Sequence, residues 1–224
     1  GRTYYCHPSL KDADKPKIPH QSSATGMQAI PATGAAMGFW YKENTGIQDN
    51  NELKPIVVCS LGDASVTEGE VSEAFQFAAL HQLPVIYLVE DNDWGISVTS
   101  AEARTTNAYE FISGFKGIER ISIDGSDFIE SYLTMQQVVK DVRENRKPYL
   151  VHAKVPLLGH HTSGVRKEFY RTNYDLDKHY TNDPGPKLKV VLQQLGFEEN
   201  YLQEIENETA AFVKNEFEKA ANAP

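Results

Sequence analysis

Cysteine is scarce in this chain: two residues, Cys6 and Cys59, among 224. Two thiols build no disulfide framework, and no Cys/His cluster has the spacing of a zinc site. That usage suits a reducing compartment, so the expected location is cytoplasmic, or the mitochondrial matrix in a eukaryote. Cys59 sits in the apolar run Pro55-Ile56-Val57-Val58-Cys59 and reads as a small buried hydrophobe. Long apolar runs are missing as well; none approaches the roughly 18 residues a spanning helix needs. No basic segment followed by an apolar core opens the chain, so no secretory leader is expected. The first residue is Gly1 rather than Met, as in a fragment or a trimmed product. Basic charge is in deficit: 22 Lys and Arg against 31 Asp and Glu leave a net charge of −9. Nucleic acid and membrane surfaces select a basic footprint, so neither is an expected partner. There are no internal repeats and no low-complexity tract.

What is present is an ordinary globular composition, 40% hydrophobic and 24% charged. Residues 55–61 and 85–89 are short, β-branched, apolar runs of the kind that form strands buried on both faces. Between them, Val71, Ala74, Phe75, Ala78 and Ala79 recur at helical steps over 68–82, and Pro84 ends the pattern. A third strand is expected at 121–123, a helix at 127–144 with Phe128, Tyr132, Met135, Val138 and Val139 on one face, and a fourth strand at 149–155. This alternation argues for an α/β fold, a parallel sheet flanked by helices. Upstream, Gly34, Ala35, Ala36 and Gly38 would let a helix approach a neighbouring backbone closely, with Pro31 in its first turn. The expected parse is an N-terminal arm over 1–21, the α/β domain over 22–182, and a helical tail over 183–224 packed on it. Residues 91–118 and 156–182 read as long loops, and loops of that length are often functional.

Open parallel sheets bind ligands at the carboxyl ends of their strands. Three polar groups fall there: Gly62-Asp63, Asp91-Asn92-Asp93 and Gly159-His160-His161. A hard cation such as Mg²⁺ would want the Asp63 carboxylate and the Asn92 amide oxygen, with phosphate oxygens completing its shell. Equally, Asp63 could cap the next helix and Asn92 could make a turn. A calcium loop starting at Asp91 is rejected, because Ile96 stands at the sixth position, where that loop needs glycine. Arg166, Lys167 and Arg171 form a basic cluster that is either a solvated loop or a docking point for a carboxylate or an acidic carrier domain. Two adjacent histidines can exchange protons near neutrality, or be surface polar residues.

The stretch GDASVTEGEVSEAFQFAALHQLPVIYLVEDNDWGIS, 62–97, resembles the thiamine-diphosphate signature. More narrowly, it is similar to the alpha subunit of the decarboxylating first component of 2-oxo acid dehydrogenase complexes. Downstream, GHHTSGVRKEFYR (159–171) resembles that family's mobile active-site loop, nearest the branched-chain type. Upstream, SSATGMQAIPATGAA (22–36) resembles the segment that reaches the cofactor's thiazolium and a structural cation site, which puts Ser23 and Met27 among the implied cofactor contacts.

The resemblance implies a thiamine-diphosphate-binding fold and thiamine diphosphate with Mg²⁺ as cofactors. Asp63, Asn92 and the Trp94 carbonyl would ligate the metal; Gly62, Ala64 and Ser65 would contact the diphosphate. His161 would face the diphosphate and the substrate's reacting carbon, with His160 beside it. Thr162 falls where some relatives carry a regulatory phosphoserine. The implied partners are a 2-oxo acid, a beta subunit or fused pyrimidine-binding half, and a lipoyl-bearing acyltransferase, in a hetero- or homo-oligomer. Five positions depart from the family pattern: Ala64 for glycine, Asp91 for the first asparagine, Leu157 for a common arginine, Thr25 for a bulky apolar residue, and Met27 for a polar cation ligand. No region resembles the partner's aminopyrimidine-activating glutamate, so the chain alone is expected to be inactive. The alternatives are another thiamine enzyme of transketolase or decarboxylase type, or a non-catalytic phosphate-binding module.

Overall fold

The computed structural model describes residues 6–7, 14–19, 21–47, 53–162 and 164–223. Most of the expected arm, including His20, lies outside them, as does Ser163; within it Cys6–His7 pairs antiparallel with Gln21–Ser22. The central sheet has four parallel strands: β1 Val57–Gly62, β2 Val85–Asp91, β3 Glu119–Asp124 and β4 Tyr149–Lys154. Their order is β1-β2-β4-β3, so β4 returns between β2 and the edge strand β3.

Alternation along the strands divides the core in two. Val85, Tyr87 and Val89 of β2 pack with Leu61, Leu150 and the helices α1 (Ala29–Thr45) and α2 (Gly69–His81). Ile86 faces the other way, onto Ile123, Val151 and the residues Val138 and Val142 of α3 (Phe128–Asn145). Helix α2 buries Val71, Ala74, Phe75, Ala78 and Ala79, the set its periodicity predicts. Phe75 meets Tyr87 edge-on at 4.8 Å between centroids. Burying a side chain of that size contributes about 1.5–3 kcal/mol. Gln82, in the left-handed region at φ 49°, closes α2 one residue before Leu83-Pro84 starts the next strand. Cys59 is buried here, as expected, and burial pushes its thiol up to about 12.

Several expectations are corrected. A Cβ added at Gly34 or Gly38 would meet nothing within 4 Å, so α1 makes no close approach through its glycines within this chain. On α3, Phe128 and Tyr132 are exposed; the apolar stripe is wider than the sheet contact, which Val138 and Val142 make with the half-buried Met135 and Val139 beside them. The 91–118 stretch is built of short pieces: a hairpin of Trp94–Gly95 with Val98–Thr99, then helical turns Ser100–Ala103, Ala108–Phe111 and Ile112–Gly114. The 156–182 stretch holds a turn at Lys167–Phe169 and the helix α4 Asn173–Tyr180. Helices α5 Pro184–Gln194 and α6 Glu199–Ala221 complete the chain. The tail was expected to pack on the domain, but α6 buries only Leu202 and leaves Ile205, Phe212, Val213 and Phe217 exposed. Among the described residues no helix is long and apolar enough to cross a membrane.

Candidate functional site at the carboxyl edge of the sheet

A cleft of about 890 Å³ opens at the carboxyl ends of the strands. Asp63 follows β1 in a single 3-10 turn, Asp63–Ser65, which Ser65 tightens by donating its hydroxyl to the Gly62 carbonyl at 2.7 Å. Gly62 itself is extended at φ −77°, so the turn does not require glycine. Asp91 ends β2. There two successive side chains fold back on the backbone: Asp91 Oδ1 accepts from Asp93 N and Asn92 Oδ1 from Trp94 N, both at 3.0 Å. Asn92 therefore makes the turn that the plainer reading foresaw. An amide oxygen has a second lone pair, and Asn92 still lines the same cleft as Asp63.

The hairpin that follows carries Ile96 at φ 60°, a strained conformation for a β-branched residue. Ser100 N donates to Asp93 O, and Thr99 and Glu102 form a reciprocal capping box around Ser100–Ala103. That turn delivers Arg104, whose Nη2 donates to and pairs with Asp63 Oδ2. The Asp63 and Arg104 side chains are only 4% and 9% exposed. Burial holds the Asp63 carboxyl above its ordinary value and the nearby Asp91 charge adds to that, against the opposing pull of Arg104.

Asp91 has the opposite balance. Burial would raise its carboxyl, but the hydrogen bond to His152, the Asp93 N–H and the charges nearby hold it low. His152 Nε2 lies 2.7 Å from Asp91 Oδ2, and its Nδ1 lies 2.9 Å from Ser122 Oγ. Ser122 and His152 are register partners on β3 and β4, so alternation puts all three side chains on one face of the sheet.

The cleft thus brings together Asp63 and Asn92 of the expected site residues. It does not gather the rest. Gly62, Ala64 and Ser65 are not among its lining residues; Trp94 is buried against Tyr170, with ring centroids 5.6 Å apart. Ser23 and Met27 are exposed and outside it. His160 and His161 are exposed on the loop after β4, also outside the lining. His160 Nδ1 accepts weakly from Lys167 N at 3.5 Å and faces Glu168 at 3.8 Å. Among the described residues no three His, Cys, Asp or Glu side chains converge as a metal cluster; a site here would use one carboxylate with amide and carbonyl oxygens.

The basic cluster of this loop is neither simply solvated nor simply displayed. Arg166 is exposed beside Glu168 at 3.5 Å. Lys167 is buried, donating Nζ to the Leu158 carbonyl and lying over the Tyr180 ring at 4.6 Å. Arg171 is buried too, paired with Asp175 and set over Trp94 at 5.0 Å. His179 accepts the Leu157 N–H on Nδ1 at 2.8 Å; burial, then Arg171, lowers its proton affinity.

Arg104 and the Asp91–His152–Ser122 chain were missed by sequence reasoning. The signal for the first was the Thr99-x-x-Glu102 capping box just ahead of it. For the second it was a lone histidine in an apolar strand.

Fold and site together define a parallel α/β domain with an acid-rich cleft at its strand ends. The family described as Dehydrogenase E1 component matches residues 6–224, and the chain belongs to it. It is 31% identical over 197 residues to a 3-methyl-2-oxobutanoate dehydrogenase subunit alpha of Mycobacterium tuberculosis (strain CDC 1551 / Oshkosh), covering 87% of this chain and 51% of that one. It is 34% identical over 204 residues to a pyruvate dehydrogenase E1 component subunit alpha of Rickettsia bellii, covering 89% and 58%. The chain therefore spans about half the length of these relatives. Among solved structures, a transketolase from Campylobacter jejuni superposes with a TM-score of 0.55 at 22% identity, over 73% of this chain and 26% of that one. That likeness concerns the fold alone.

Proposed function

We propose that the chain is the diphosphate-binding domain of the alpha part of a decarboxylating first component of a 2-oxo acid dehydrogenase complex, nearest the branched-chain type. The observation that carries this reading is the meeting of Asp63 and Asn92, from the ends of two adjacent strands, on one cleft. The donors fit Mg²⁺: a buried carboxylate, an amide oxygen and the Trp94 carbonyl are hard oxygen ligands. The cleft also fits a metal-bridged diphosphate better than a bare one. Six acidic side chains line it against Arg104, Lys154 and Lys178, so an anionic cofactor needs a cation between itself and the protein.

In this reading Asp63, Asn92 and Trp94 hold the metal, and Gly62, Ala64 and Ser65 contribute backbone to the diphosphate, with Ser23 and Met27 toward the ring. When bound, thiamine diphosphate supplies the carbanion chemistry of 2-oxo acid decarboxylation. His161, with His160 beside it, is the proton-transfer group that faces substrate and a lipoyl-bearing partner. A beta-type chain or fused half completes the site in an oligomer. The expected setting is the cytoplasm, or the mitochondrial matrix of a eukaryote.

Calorimetric titration with thiamine diphosphate tests this. Binding is expected to require Mg²⁺ and to weaken about tenfold or more in Asp63→Asn, the loss of a charged ligand. Metal-independent binding, or binding unchanged in Asp63→Asn, would overturn the assignment. Turnover of a 2-oxo acid is expected only when a beta-type chain is added.

A further inference from the structure

We propose that Arg104 is a built-in counter-cation that competes with a divalent ion for the Asp63 carboxylate. The inference rests on the reading of Asp63 as a metal ligand and adds to it a residue that sets the metal's affinity. Arg104 is not placed there loosely. Its backbone N donates to Ser100 O at 2.8 Å, Ser100 Oγ donates to Asp93 Oδ1, and the capping box of Thr99 and Glu102 fixes the turn between. The pair is nearly dry, and among the described residues Arg104 is the cation paired with Asp63.

The other groups that face this carboxylate leave no substitute. Asp91, from the end of β2, repels it and is itself engaged by His152. Without Arg104, Asp63 would be a buried charge beside a second carboxylate, a costly arrangement. A guanidinium keeps its charge at any accessible pH, so it leaves only by moving. Arg104 and its neighbours Thr105 and Thr106 line the cleft, which offers the side chain somewhere to go. Metal loading is then an exchange of one cation for another. The apparent metal affinity is the intrinsic affinity multiplied by the fraction of time Arg104 is away from Asp63.

Mn²⁺ serves as the probe, read by electron paramagnetic resonance and by the metal-induced rise in melting temperature of the same chain. Arg104→Gln is expected to bind Mn²⁺ about tenfold more tightly than wild type, since removing a competitor raises apparent affinity by the occupancy it held. It is also expected to melt lower without metal and to gain more from metal. Arg104→Lys keeps a buried cation without the planar fork, so it folds on the same charge balance and tightens Mn²⁺ by a smaller factor. Asp63→Asn removes the tight site in every background. Equal or weaker Asp63-dependent Mn²⁺ binding in Arg104→Gln and Arg104→Lys overturns the competition alone. Absence of any Asp63-dependent Mn²⁺ binding overturns the metal-site reading along with it.

Discussion

Individual buried polar side chains carry much of the information in this domain. Tyr87 is completely buried, yet its hydroxyl lies 2.6 Å from Thr33 Oγ and donates to Ala74 O at 3.2 Å, tying α1 and α2 to the sheet. Thr33 Oγ also bonds the Ala29 carbonyl at 2.8 Å, so Tyr87→Phe removes the tie without orphaning Thr33 and is expected to cost about 0.5–1.5 kcal/mol in chemical denaturation. A loss below about 0.5 kcal/mol would mean those groups find other partners. Asp91 makes a pH-dependent contribution. Its folded carboxyl lies below the unfolded value of about 3.9, so its stabilisation is fully present above that value and is lost as pH falls through the folded one. Asp91→Asn is expected to cost about 1–3 kcal/mol at pH 7 and progressively less as pH falls below about 3.9, giving a flatter acid limb in denaturation midpoints. Asp63 runs the other way, because its folded value is raised: its contribution is fullest below the unfolded value and is lost as pH rises through the folded one. Asp63 was readable as a candidate for the cleft because a carboxylate follows a β-branched run at a strand end. Its partner was not, because Arg104 lies 41 positions away and only the folded hairpin brings it back.

At the scale of elements, one departure from the family pattern has a local explanation. Ala64 stands where the pattern has glycine, and a Cβ built on Gly95 would come within 2.9 Å of the Ala64 Cβ. The extra methyl is therefore housed by a glycine in the hairpin after β2. Gly95→Ala alone is expected to destabilise by about 1–3 kcal/mol through overpacking, and Ala64→Gly in the same chain to restore most of it. Additive losses in thermal melts of the single and double variants would show that the two positions are not coupled. The long helices and buried strands were visible because period and β-branching speak within a short window. The elements within 91–118 were not, because each is only two to four residues long. Capping boxes such as Asn107 with Glu110 were their one local mark.

Across the whole molecule, the apolar surface is distributed in a way a lone domain does not explain. The sheet is covered by α1 and α2 on one face and α3 on the other, yet α6 presents Ile205, Phe212, Val213 and Phe217 to solvent along one side of 23 residues. The sequence reading expected a helical tail over 183–224 packed on the domain. Periodicity says that a face is apolar, not what it meets, and so the stripe was assigned to the same domain. A helix with one exposed apolar flank contributes little to its own domain's stability and much to association. Phe212→Glu with Phe217→Glu should therefore leave the melting temperature of the chain almost unchanged, since substitutions at exposed positions usually fall within about 0.5 kcal/mol. The same pair should lower concentration-dependent association measured by light scattering, because it sets charge into the one continuous apolar flank of the helix. A large drop in melting temperature with unchanged association would place the stripe inside the folded unit, in an arrangement where its phenylalanines support the domain rather than face outward.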